Sequence, residues 1–108
     1  MQLQVTTSPI DALIERLHNN KHYCEFRMTK DGFTKGDGKF YDPIELTLVN
    51  IYPFGDDAHP GELSFVYILR DKDGKLGFSV DAIGDYSKNE ATLYHWFMTK
   101  VAKDLNPD

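Results

Sequence analysis

Apolar positions recur at two different periods along this chain, and the points where the period changes mark its elements. Ile10, Leu13, Ile14 and Leu17 fall at i, i+3, i+4 and i+7, which predicts an amphipathic helix with Asp11, Glu15 and Arg16 turned to water. Ser8, Pro9 and Asp11 supply a capping hydroxyl, a proline at the first helical position and an early acid, so the helix starts there and ends near Asn19 or Asn20. From Tyr23 to Thr29 the period drops to two: Cys24, Phe26 and Met28 share one face of a strand, and Glu25, Arg27 and Thr29 the other. Lys30 to Pro43 mixes Gly32, Gly36 and Gly38 with charged residues, which predicts a loop or loose hairpin anchored by Phe33, Phe40 and Tyr41.

The second half reads more sharply. Ile44 to Tyr52 is rich in β-branched and aliphatic residues, and Pro53, having no N–H to give a ladder, is expected to end that strand. Glu62 to Arg70 places Leu63, Phe65, Tyr67 and Leu69 on one face and Val66 and Ile68 on the other, the pattern of a central strand covered on both sides. Asp71-Lys72-Asp73-Gly74 then makes a tight turn into a strand with Leu76, Phe78, Val80 and Ala82 inward against Lys75, Ser79 and Asp81. Ser87 and Glu90 form a capping box, opening a second helix whose apolar stripe is Tyr94, Phe97, Met98, Val101 and Leu105, with Leu93 and Trp96 widening it. These elements predict an α+β fold: a mainly antiparallel sheet of three to five strands, packed on one face by an N-terminal and a C-terminal helix, in a single domain over 1–108. The alternative is a cystatin-like sheet gripping one helix, with the second helix appended.

Composition narrows the function classes. The 108 residues are 41% hydrophobic and 13% aromatic, enough for a core, and the formal charge of −5 opposes binding to a phosphate backbone, so a nucleic-acid role is disfavoured. The single cysteine, Cys24, excludes an internal disulfide and fits a reducing compartment. Met1 to Thr7 lacks the basic and apolar segments of a signal peptide, and no apolar run approaches the roughly 18 residues of a membrane span, so a cytoplasmic location without membrane contact is expected.

Few residues suggest chemistry. Asp56, Asp57 and His59 could offer two carboxylates and an imidazole to a divalent cation, although adjacent acids before a Pro-Gly turn more often face water. Asp81 lies on a strand and Asp85 beside a helix N-terminus, where an acid favours the helix dipole. His18, His22 and His95 are not spaced for a zinc site, and Cys24 on an inward strand position reads as packing rather than a nucleophile. The glycines at 32, 36, 38 and 74 form neither a P-loop nor a dinucleotide fingerprint.

The run Tyr52-x-Phe54, Pro60, Tyr67, Lys72-Asp73-Gly74, Gly77, Val80-Asp81-Ala82, Gly84 and Tyr86-Ser87 resembles small bacterial proteins labelled phosphoribosylpyrophosphate synthetase, ungapped from Tyr52 to Ser87 and more faintly upstream. The chain departs from that pattern at Pro53, Gly55 and Gly61, where those proteins tend to carry charged residues. The resemblance implies no catalytic residue, because the acidic, glycine-rich pyrophosphate loop of a full-size synthetase has no counterpart here. The expectation is a non-catalytic binding or regulatory module, with a homodimer or protein partner and no cofactor. The alternative is a small metal- or phosphate-dependent enzyme using Asp56, Asp57 and His59, with Asp81 in support.

Overall fold

The computed structural model of the protein describes residues 9–55, 63–82 and 85–105. In chain order these form helix α1 (Pro9–Asn19), strands β1 (Tyr23–Thr29), β2 (Gly32–Thr34) and β3 (Phe40–Tyr41), and a 3-10 turn (Pro43–Glu45). Strands β4 (Leu46–Gly55), β5 (Leu63–Asp71) and β6 (Leu76–Asp81), helix α2 (Lys88–Lys100) and strand β7 (Ala102–Lys103) follow. The sheet runs β3-β2-β1-β6-β5-β4-β7.

The α+β class stands as expected, but the sheet is larger and more mixed. It has seven strands among the described residues rather than three to five. Two antiparallel meanders, β1-β2-β3 and β4-β5-β6, are joined by a parallel pairing of β1 with β6, and β7 lies parallel to β4. The segment read as a loop contributes β2 and β3, too short for alternation to reveal them. Phe33 and Tyr41 anchor it as expected, whereas Phe40 is half exposed.

The helices also depart from the expected single face. Leu17 of α1 packs with Val66, Ile68, Phe78 and Val80, supported by Ile10, Leu13 and Ile14. Tyr94, Phe97 and Met98 of α2 pack instead with Phe26, Met28, Phe33, Leu48 and Leu69. Because side chains alternate along a strand, these sets lie on opposite faces of the sheet, so each helix covers one. The second helix is therefore part of the core, which disfavours the cystatin-like alternative.

Strand β6 shows how one sequence serves both faces. Phe78 and Val80 fill the α1 side, while Gly77 and Ser79 meet the α2 side. Ser79, expected to face outward, is fully buried. A Cβ on Gly77 would collide with the Phe26 ring and lie 2.8 Å from the Cys24 carbonyl, so the missing side chain lets β1 draw in beside β6.

Pro53 does not end β4, which continues to Gly55. Ile51 N–H is taken by Asn50 Oδ1 at 2.9 Å, not by β5, so it points to the outer edge, and Pro53 two residues later has the same orientation. The proline lacks an N–H only where no ladder needs one. With the register shift between Leu48 and Asn50, this blunts an edge that β7 covers only at Thr47 and Leu48.

The turns form as their residues dictate. Gly74 takes φ +85° and donates to Asp71 O at 3.0 Å, while Asp71 Oδ1 accepts from the amides of Asp73 and Lys75, both at 2.9 Å. Ser87 Oγ accepts from Glu90 N–H and Glu90 Oε1 from Ser87 N–H, each at 3.2 Å, completing the capping box. Helix α2 stops at Lys100 because Val101 turns extended and the chain joins β4, where Asp104 N–H donates to Leu48 O. Leu105 thus lies beyond the helix, off the stripe assigned to it.

Candidate functional site

The side chains suggested by the sequence do not converge. Asp56, Asp57 and His59 lie outside the described residues, as does the Ser8 cap. Asp81 Oδ2 faces His95 Nε2 at 3.3 Å across the β6–α2 boundary, a surface pair with the imidazole mostly exposed. His18 Nε2 contacts Glu25 Oε1 at 2.8 Å and sets its ring edge against Phe78, fastening α1 to β1 and β6. Asp85 offers its backbone carbonyl to Arg27 at 3.5 Å, while the Arg27 guanidinium lies over the Tyr86 ring. Cys24 is partly buried, with its Sγ 3.8 Å from Leu76 O, so it is less enclosed than the packing role implied. Among the described residues, no three His, Cys, Asp or Glu side chains gather as a metal site would require.

A buried polar island lies under α2. Ser79 Oγ and Tyr94 OH are 2.8 Å apart, and Tyr86 OH accepts from Met28 N–H at 3.2 Å. Burial raises the phenol pKa values of Tyr67, Tyr86 and Tyr94, that of Tyr67 to about 12 with a further push from the Asp81 charge. These phenols stay neutral through the physiological range. Tyr86 and Tyr94 hydrogen-bond within the layer while Tyr67 packs edge-on against the Tyr94 ring, and none of the three is activated toward transferring a proton near neutrality.

Exposed large apolar side chains surround a groove of about 260 Å³ between α2 and the β2–β3 edge. Met28, Phe33 and Phe97 line its depth, and Phe40, Leu93 and Trp96 form its walls. Trp96 is 56% exposed and Leu93 43%, while Ile44, next to the wall residue Pro43, is 78% exposed. The reason is geometric: Tyr94, Phe97 and Met98 consume the stripe facing the sheet, so Leu93 and Trp96, one turn apart, project beside it rather than into it. Lys30, Asp31 and Asp42 flank the groove with both signs of charge. The wide α2 face was legible in the sequence, but the participation of Phe40 was not, because the chain returns to α2 through a pairing no local pattern encodes.

No helix among the described residues is long and apolar enough to cross a membrane. The chain matches no family model, no curated protein and no solved structure.

Proposed function

We propose that the protein is a non-catalytic binding or regulatory module that works as a homodimer, with the groove beside α2 seating a second copy of the chain. The observation that carries this reading is the placement of Trp96, Leu93 and Phe40, large apolar side chains left in water around a groove whose floor is also apolar. An isologous contact needs a self-complementary patch. This face has the required parts: projecting side chains and a groove lie together, and Lys30 stands near Asp31 and Asp42, so a twofold arrangement can oppose unlike charges. Aromatic residues at the centre with charges at the rim are also the usual anatomy of a protein interface.

Trp96 is the sole tryptophan, so its emission reports on this face alone. Dilution of the dimer is expected to shift that emission to the red as Trp96 returns to water, and Leu93→Ser is expected to show the monomer spectrum at every concentration. Emission that is independent of concentration in the native protein, with no difference in the variant, would overturn self-association through the groove.

A further inference from the structure

At one end of the sheet the turn that leads into β1 and the turn that leads into β6 border an open cavity of about 560 Å³ that shares no lining residue with the groove. We infer that this cavity binds a small phosphorylated organic molecule, its phosphate held between Lys21, His22 and Lys75 and its body resting on Tyr23, Cys24 and Leu76. The parallel pairing of Tyr23 with Leu76 sets the two turns side by side, which brings together cations 54 positions apart in the sequence.

Three observations support an anionic ligand. Among the described residues no carboxylate lines the cavity, although acids outnumber bases in the chain, 17 to 12. The acids of the adjoining turn face a neighbouring concavity: Asp71 Oδ1 holds the amides of Asp73 and Lys75, and both acids line that concavity with Lys35, Lys39 and Lys72, Lys75 standing on the rim between the two. Neither Lys21 nor Lys75 has an ion pair among the described residues, so both ammonium groups can turn to a ligand. The volume lies in the range of small-molecule sites and exceeds what a bare phosphate ion would fill. Lysine ammonium groups suit a compact anion approached from several directions, and Tyr23 and Leu76, which also pack against the α1-side core, border the cavity with apolar surface.

The proposal does not depend on self-association. Amide chemical shifts of the full chain are to be followed while glycerol 3-phosphate is added, with glycerol and sodium chloride at matched ionic strength as controls. The expected result is saturable movement confined to residues 21–24 and 74–76 with the phosphate ester alone, weakened about tenfold or more in each of Lys21→Gln and Lys75→Gln. These lysines are exposed, so both variants are expected to fold as the native chain does. Movement produced equally by chloride, binding unchanged in both variants, or movement centred on Lys35, Lys39 and Lys72 would overturn the assignment. Inorganic phosphate binding as tightly as the ester would show that the Tyr23 and Leu76 seat contributes nothing, contradicting that part of it.

Discussion

The Ser79 hydroxyl and the Tyr94 phenol meet at 2.8 Å where both residues are fully shielded from water, so a buried polar contact keys α2 to the middle of the sheet. A bond of this kind contributes about 1 kcal/mol net, and a buried hydroxyl left unpaired costs more than the bond supplies. Tyr94→Phe and Ser79→Ala are each expected to destabilise the fold by about 1–2 kcal/mol, and the double variant by less than their sum. Urea unfolding of all four proteins checks this. Strict additivity would show that the two groups do not interact energetically.

Alkaline pH gives an independent test of the same layer. Burial raises the phenol pKa of Tyr67 to about 12, that of Tyr94 well above its ordinary value, and that of Tyr86 as well. An unfolded tyrosine titrates near 10, so the unfolded chain loses these protons first as the pH rises. The stabilisation is thus fully present below about pH 10 and is lost as pH climbs toward about 12 through the folded value of Tyr67. Melting temperature is expected to fall across that window, and Tyr67→Phe to reduce the slope. An identical slope in the variant would contradict the assignment to Tyr67.

Gly77 controls the approach of β1 to β6. Gly77→Ala would press a methyl group into the Phe26 ring and the Cys24 carbonyl, so strand displacement or ring rotation must follow. A loss of about 1–3 kcal/mol is expected by chemical denaturation. A neutral substitution would show that β1 and β6 are less closely joined than their register indicates.

What the sequence disclosed follows from how local each signal is. The Asp71–Gly74 turn, the Ser87 capping box and the limits of α1 and β1 depend on neighbouring residues, and they were legible. The two-sided pattern of β5 likewise announced a central strand, and its place between β6 and β4 agrees. The β1–β6 pairing joins segments about half the chain apart, so nothing in either segment disclosed it. That missing contact also hid the placement of the helices on opposite faces. Ser79 appeared outward because alternation identifies apolar positions, whereas here a small polar residue occupies a buried site opposite Tyr94. Of the candidate sites, Leu93 and Trp96 could be found from helical spacing, while Lys21 and Lys75 lie in turns with no periodicity to connect them.

The acidic segment supplies a sharp negative test. Asp56, Asp57 and His59 would hold a divalent cation only if their side chains converge, and a bound ion at about 100 times its dissociation constant would stabilise the fold by about 2.7 kcal/mol. The non-catalytic reading predicts no change in melting temperature with magnesium, manganese, calcium or zinc, either in the native chain or in Asp57→Asn. A metal-dependent rise that disappears in Asp57→Asn would instead favour the metal-dependent enzyme.

Self-association through the α2 face is tested most directly by sedimentation equilibrium over a wide concentration range, comparing the native chain with Trp96→Ala. Removing an exposed aromatic from the centre of an interface typically costs 2 kcal/mol or more in association, roughly a thirtyfold loss of affinity, while an exposed position leaves folding stability nearly unchanged. The account predicts a monomer–dimer equilibrium for the native chain, displaced to monomer in Trp96→Ala at unchanged melting temperature. A native chain that sediments as a monomer at every concentration, or a dimer that Trp96→Ala leaves intact, would contradict it.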